Sequence, residues 1–140
     1  MPASARRRCP RPLETQPIVN DIYQNQRNKT GQWGERVAVK YALAHGYRIV
    51  ATHVWYRDGE VDVVAVKGGV LFFMEVKTRA NERYGTVEAV TRGKRARLMR
   101  AAQRFCMSRG LAGAPCQFDC LVVLGRAGDS AVTVRHYRNI

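Results

Sequence analysis

The chain has 140 residues, of which 46% are hydrophobic, and its formal net charge is +13. This length suits a single domain, and the excess of Lys and Arg favours a polyanionic partner, either nucleic acid or an anionic membrane. No apolar run approaches the ~18 residues of a transmembrane helix, and no apolar segment follows the N-terminal arginines as in a secretory signal. The four cysteines form no CxxC pair typical of zinc sites. We therefore expect a cytoplasmic protein. Binding to a membrane surface is disfavoured because no basic amphipathic helix carries large exposed apolar residues.

The first 30 residues differ in composition from the rest of the chain. They contain four of the five prolines, few large apolar residues and a net charge of +4. This composition predicts that residues 1–30 form a basic, flexible tail. Residues 31–140 carry the remaining charge of +9 and are expected to form one folded domain.

Hydrophobic periodicity and turn residues predict the elements of this domain. Gly46 is a typical residue to end a first helix, and Asp58-Gly59 and Gly68-Gly69 are typical two-residue hairpin turns. In chain order we expect helix Gln32–His45, strands Tyr47–Tyr56, Glu60–Lys67 and Val70–Lys77, helix Val87–Arg109, and strands Cys116–Leu124 and Ala131–Tyr137. The order α-βββ-α-ββ predicts an α/β fold with a mixed central sheet flanked by helices.

The Gly68-Gly69 turn has a consequence for two carboxylates. A two-residue turn fixes the register of its hairpin, and this one places Asp62 opposite Glu75. Directly opposed residues have Cβ atoms about 4.5–5.5 Å apart, and like charges at that distance destabilise a sheet. We therefore expect a hard divalent cation, Mg²⁺ or Mn²⁺, between the two carboxylates, with bound waters left for a substrate.

The same register places Glu60 opposite Lys77, on the sheet face shared with Asp62 and Glu75. An ammonium group there could orient a water molecule or stabilise charge on a phosphate. The alternative is a cross-strand salt bridge between Glu60 and Lys77, with the other two acids at solvated strand ends. We favour the metal site because all four residues lie in apolar strands.

Glu35 heads an apolar stripe of the first predicted helix, at positions 35, 38, 39 and 42. One interpretation has its carboxylate reaching the metal site. The other, given equal weight, is a first-turn acid stabilised by the helix dipole.

Further polar and aromatic residues carry weaker signals. A turn at Asp58-Gly59 would place Trp55 opposite Asp62, and we expect Trp55 to pack in the core, with stacking on an unpaired base as the alternative. Asp119 is expected to be a structural acid. No ligand spacing connects the three histidines, and no role is assigned to His45, His53 or His136.

The second predicted helix is strongly basic, with seven Lys or Arg residues and Glu88 as its one acid. A helix with one sign of charge gains little from internal ion pairs, whereas contact with a phosphate backbone releases counterions. The alternative is a solvated basic face. The candidate nucleic-acid contacts are Arg79, Lys94, Arg97, Arg100 and Arg104.

Several sequence blocks resemble the YraN family of small bacterial proteins, over roughly residues 31–125: "GQWGERVAVKYALAHGYRIV", "DGEVDVVAV", "FFMEVKTR", "AVTRGKRARLMRAAQRF" and "QFDCLVV". The resemblance implies a PD-(D/E)XK core, as in restriction endonucleases. In that motif Asp62 matches the lone aspartate, and Glu75 and Lys77 match E-x-K. Glu35 matches the first-helix glutamate, and Glu60 the acid of the family's G-E-[IL]-D block. A departure is Cys116-Gln117, where the family pattern leads us to expect an arginine.

These residues and the resemblance predict an endonuclease that depends on Mg²⁺ or Mn²⁺ and hydrolyses phosphodiester bonds in DNA, without excluding RNA. Asp62, Glu75 and the Val76 carbonyl would ligate the metal, Glu35 would hold a water or a second ion, and Lys77 would orient the attacking water. By analogy with junction-cleaving nucleases of this core, branched DNA is a candidate substrate and a homodimer a candidate assembly. The alternative function is a non-catalytic nucleic-acid-binding module that retains the fold.

Overall fold

The computed structural model describes residues 29–81 and 92–140. Residues 1–28 and 82–91, and with them most of the predicted tail and the start of the predicted second helix, lie outside the described residues. The elements are α1 Lys29–Ala44, β1 Arg48–Tyr56, β2 Gly59–Lys67, β3 Val70–Arg79, α2 Arg92–Ser108, β4 Cys116–Leu124 and β5 Thr133–Tyr137. Their order confirms the predicted α-βββ-α-ββ arrangement.

The five strands form one mixed sheet in the order β1-β2-β3-β4-β5. The β3–β4 pair is parallel and the other three pairs are antiparallel, because α2 lies between β3 and β4 in the chain and returns it to the same end of the sheet. This α/β architecture, with a helix on each face, is compatible with a restriction-endonuclease-like core. Within the two described ranges, no helix is long and apolar enough to cross a membrane.

Each helix buries one face of the sheet and forms its own core. On the α1 side, Ala38 and Ala42 pack with Val63, Met74 and Leu121. The α2-side core contains the helix residues Leu98, Ala101 and Phe105, together with Val61, Val64 and Phe73 of β2 and β3. A central strand buried on both faces explains why β2 and β3 are almost continuously apolar and why charged residues in them are unusual.

The register of the β2–β3 hairpin is the one that the Gly68-Gly69 turn predicts. Paired residues run from Lys67↔Val70 to Val63↔Met74, and both turn glycines have positive φ, +58° and +75°. The next position along is Asp62 beside Glu75. There the Asp62 side chain takes part in the pairing, because its Oδ2 accepts a hydrogen bond from the Val76 N–H at 2.8 Å.

Strict alternation breaks at Asp62. Val61 and Val64 pack in the same α2-side core although they are three residues apart, while Val63 packs on the α1 side. In the neighbouring strand His53 has a positive φ of 53°, which is rare for a residue with a side chain. The prediction that Asp62 shares one regular face with Val64 is therefore wrong.

The predicted turn at Asp58-Gly59 is also wrong. Tyr56 pairs with Gly59, so Arg57 and Asp58 form the turn. Gly59 serves packing instead, because a Cβ there would collide with the Arg97 carbonyl of α2 and lie 2.8 Å from the Ala101 nitrogen.

The corrected register changes the neighbours of Trp55. It pairs with Glu60 rather than Asp62, and 63% of its surface is exposed, which contradicts the prediction that it packs in the core. The residue across from Asp62 is His53, between the pairs Thr52↔Val63 and Val54↔Val61.

Helix α1 approaches β3 closely at Gly34. A Cβ there would collide with Thr78 Oγ1 and lie 3.1 Å from Thr78 Cβ. Helix propensity alone favours alanine over glycine by roughly 1 kcal/mol, but overpacking costs about 1–3 kcal/mol. We expect Gly34→Ala to lower the free energy of unfolding, measured in urea, and Thr78→Ala in the same chain to recover part of the loss. An alanine variant more stable than the parent would contradict this packing.

Candidate metal centre

Three side chains from three elements converge beside the first helix. Glu35 of α1, His53 of β1 and Asp62 of β2 each place one ligand atom within 4.8 Å of the other two. His53 Nδ1 lies 3.3 Å from the Glu35 carboxylate. We name these residues the Glu35–His53–Asp62 cluster. Two carboxylates and an imidazole at these separations form a donor set that could hold one metal ion.

Negative charge accumulates at this cluster. Burial raises the pKa of Asp62 well above its ordinary value, and the nearby charge of Glu75 raises it further, against the lowering effect of the Val76 N–H hydrogen bond. Burial, and then the charges of Glu75 and Glu60, raise the pKa of Glu35 from 4.5 to about 7. Acids that are costly to ionise in the apo protein are stabilised by a cation placed between them.

The imidazole of His53 is suited to ligation. Burial lowers the pKa of His53 below its ordinary value of 6.5, so the neutral ring, which is the form that binds metals, predominates at neutral pH. No role was predicted for His53 because the three histidines show no ligand spacing. A turn at Arg57-Asp58 puts His53 across from Asp62. The correct register of the β1–β2 hairpin would therefore have indicated that His53 lies near the site.

Glu75 and Lys77 form an ion pair next to the cluster. Lys77 Nζ lies 2.8 Å from Glu75 Oε1, and both side chains are at least 85% buried, with 13% and 15% of their surfaces exposed. Glu75 is close enough to raise the pKa of both Asp62 and Glu35, but it pairs with Lys77 and is not one of the three converging donors. The alternative salt bridge between Glu60 and Lys77 is not what the structure contains, because Lys77 pairs with Glu75.

A second lysine lies beside this pair. Burial alone would lower the pKa of Lys77, but hydrogen bonding with Glu75 and Lys94 and the charges of Glu75 and Asp62 outweigh it, so the net shift is upward. The neighbouring Lys77 lowers the pKa of Lys94. The structure thus places Lys94, a predicted phosphate contact from α2, beside the E-x-K lysine of β3.

The other predicted phosphate contacts are placed differently. Arg104 forms two hydrogen bonds of 2.8 Å with the Asp58 carboxylate, and Arg100 donates to the Asp58 carbonyl at 2.8 Å. Both arginines therefore hold the β1–β2 turn against α2. Arg79 donates to the Thr78 carbonyl and is close enough to Lys94 to lower its pKa, while the Arg97 carbonyl faces Gly59.

A second polar cluster lies among β4, β5 and α1. Asp119 is fully buried, and its Oδ2 lies 2.7 Å from His136 Nε2, whose Nδ1 lies 3.1 Å from the Tyr41 hydroxyl. Gln117, part of the departure from the family pattern, donates to Asp119 Oδ1 at 2.9 Å. Every polar atom of Asp119 is thereby satisfied, as expected of a structural acid, and His136 supports it.

The fold and the cluster define an α/β protein with a five-stranded mixed sheet, a helix on each face and a carboxylate–imidazole site able to hold a metal ion. The family model described as "Uncharacterised protein family UPF0102" matches residues 34–123, a range that contains all three residues of the cluster. The chain belongs to this family, which is the YraN family that the sequence blocks resemble.

Bacterial relatives agree with the family match. A UPF0102 protein of Symbiobacterium thermophilum is 47% identical over 96 residues, covering 68% of this chain and 81% of the relative. A UPF0102 protein of Moorella thermoacetica is 42% identical over 98 residues, covering 69% of this chain and 82% of that protein. A UPF0102 protein of Chlorobium phaeobacteroides is 39% identical over 98 residues, covering 69% of this chain and 77% of the relative.

Proposed function

We propose that this protein is a metal-dependent endonuclease that hydrolyses phosphodiester bonds in DNA and acts in the cytoplasm. The observation that carries the proposal is the convergence of Glu35, His53 and Asp62, whose ligand atoms lie within 4.8 Å of one another. Ionising both carboxyl groups there is unfavourable without a cation, because the pKa of each is raised. The net charge of +13 on the whole chain suits a polyanionic substrate, whose phosphate could meet a cation bound at this site.

The donor set favours one metal over another. Mg²⁺ prefers oxygen ligands and keeps several of its waters, whereas imidazole nitrogen suits transition metals, and Mn²⁺ also accepts carboxylates. With His53 beside Glu35 and Asp62, we expect Mn²⁺ to bind more tightly than Mg²⁺. Glu75 lies close to Asp62 and forms an ion pair with Lys77, the lysine of the E-x-K motif. It is a further candidate ligand if Lys77 turns towards a substrate.

The residues of the chain have separable roles in this proposal. When bound, a divalent cation supplies positive charge opposite the phosphate and lowers the pKa of water. Glu35, His53 and Asp62 would hold that cation, and the Val76 N–H fixes the Asp62 carboxylate through its hydrogen bond. Lys77 is poised by Glu75 to orient a water or to stabilise charge on the phosphate. In this proposal Lys94 and Arg79, which lie near each other and near Lys77, contact phosphates of the DNA backbone.

A cleavage screen tests the proposal. Purified full-length protein would be incubated with single-stranded, duplex, flapped and four-way DNA, in Mn²⁺, in Mg²⁺ and in chelator. We expect cleavage of at least one substrate in Mn²⁺, slower cleavage in Mg²⁺ and none in chelator. DNA binding without cleavage of any substrate in either metal would overturn the proposal and favour the non-catalytic binding module.

A further inference from the structure

An exposed tryptophan lies next to the metal centre. Trp55 leaves 63% of its surface in solvent, whereas the other tryptophan, Trp33, packs against the α1-side core. Large aromatic side chains usually bury themselves. The strand neighbours Val54 and Tyr56 pack against the α2-side core, and Trp55, the residue between them, is left exposed.

The position of Trp55 relates it to the cluster. It lies two residues from His53 along β1, a distance of about 7 Å along an extended strand. Its neighbours Val54 and Tyr56 pack on the α2 side, so alternation places Trp55 on the opposite face, which is the face of α1 and Glu35. Its cross-strand partner Glu60 is close enough to raise the pKa of Glu35. The indole therefore lies at the edge of the site rather than elsewhere on the surface.

We propose that Trp55 stacks on an unpaired nucleobase next to the scissile phosphate. This inference rests on the proposed nuclease function and specifies its substrate: DNA with an unpaired nucleotide at the point of cleavage, as at a flap or a splayed junction. In intact duplex each base is already stacked between its neighbours and has no free face to offer. Stacking on an aromatic side chain is tolerant of sequence, so the site selects for DNA structure rather than base identity.

Tryptophan fluorescence tests the inference without requiring cleavage. The chain has two tryptophans, so Trp33→Phe leaves Trp55 as the one reporter. In chelator, we expect a single-stranded oligonucleotide to quench this emission as it binds. Blunt duplex of the same length should bind, as followed by anisotropy of a labelled strand, with little quenching. An abasic single strand should also bind without the full quench.

Affinity supplies the second readout. The stacking energies of aromatic side chains correspond to roughly 5- to 150-fold in affinity. Trp55→Ala should therefore bind single-stranded DNA at least about fivefold more weakly, while its affinity for blunt duplex should be unchanged. Met99→Ala is the matched control, because Met99 is half exposed on α2, and it should change neither affinity. Equal quenching by duplex and single strand, or unchanged single-strand affinity of Trp55→Ala, would overturn the inference. Quenching specific to unpaired bases in a protein that cleaves nothing would instead support stacking and overturn the nuclease function.

Discussion

Replacing Asp62 by asparagine is expected to slow Mn²⁺-dependent DNA cleavage by about 10³-fold. Charge stabilisation by a catalytic metal is worth several kcal/mol, and each ~1.4 kcal/mol is a factor of ten in rate. Asparagine is the informative substitution because its amide oxygen can still accept the hydrogen bond that Asp62 Oδ2 accepts from Val76 N–H. The rate is measured in single-turnover cleavage of the best substrate from the screen.

The control for this variant is Asp129→Asn. Asp129 is exposed, and its Oδ2 accepts a hydrogen bond from the Arg126 N–H at 2.7 Å, in the loop between β4 and β5. This substitution makes the same chemical change away from the cluster, and the variant protein should cleave DNA at the parental rate. DNA affinity in chelator should be unchanged in both variants, since phosphate contacts by cationic residues supply most of it. Parental cleavage by Asp62→Asn would show that Asp62 is not a metal ligand.

Replacing Glu35 by glutamine is expected to stabilise the metal-free protein at high pH. The folded protein holds the pKa of Glu35 at about 7, above its ordinary value of 4.5. Between these values the folded state binds more protons than the unfolded state, so stability falls as pH rises through this window and the loss is complete above pH 7. Solvent screening of this partly exposed carboxyl reduces the ~3 kcal/mol that such a shift corresponds to, so we expect a gain of about 1–2 kcal/mol. Glutamine carries no charge and avoids this cost.

Urea unfolding in chelator at two pH values measures this effect. Below pH 4.5, where Glu35 is protonated in both states, the variant and the parent should have similar free energies of unfolding. Above pH 7 the variant should be more stable, while Glu60→Gln, at an exposed acid of the same site edge, should gain much less. Adding Mn²⁺ should stabilise the parent and leave Glu35→Gln almost unchanged. A glutamine variant less stable than the parent above pH 7 would contradict the raised pKa.

In the β2–β3 hairpin, local sequence determined both the turn and the strand register. Gly68 and Gly69 both adopt positive φ, which glycine alone tolerates readily, and this turn sets the register as far as Val63↔Met74. The order of helices and strands followed from hydrophobic periodicity in the same way. These features depend on residues that are near one another in the chain.

In the β1–β2 hairpin, local sequence did not determine the position of the turn. Asp58-Gly59 is a strong turn signal, yet Gly59 is required by contact with Arg97 and Ala101 of α2, about 40 residues away in sequence. Asp58 likewise belongs to a long-range pair with Arg104. Local turn chemistry cannot distinguish these uses of glycine and aspartate. The resulting shift in register changes the residue across from Asp62 from Trp55 to His53.

The structure brings only some of the predicted site residues together. Asp62 and Glu35 were both expected at the metal, and both belong to the cluster. Glu75 was also predicted to ligate the cation, and in the structure it forms an ion pair with Lys77 of the same strand at 2.8 Å. Pairing of an acid with a nearby lysine depends on side-chain conformation and burial, which strand register does not determine.

The central claim is that Glu35, His53 and Asp62 hold one divalent cation. Calorimetric titration of the full-length protein with Mn²⁺ near pH 7, where Glu35 is still partly protonated, tests this binding without a substrate or catalysis. We expect uptake of one Mn²⁺ per chain, with release of protons from the carboxyl groups whose pKa is raised. This uptake should be lost in Asp62→Asn but not in Asp129→Asn. Parental protein that takes up no Mn²⁺, or Asp62→Asn that takes it up as the parent does, would contradict it.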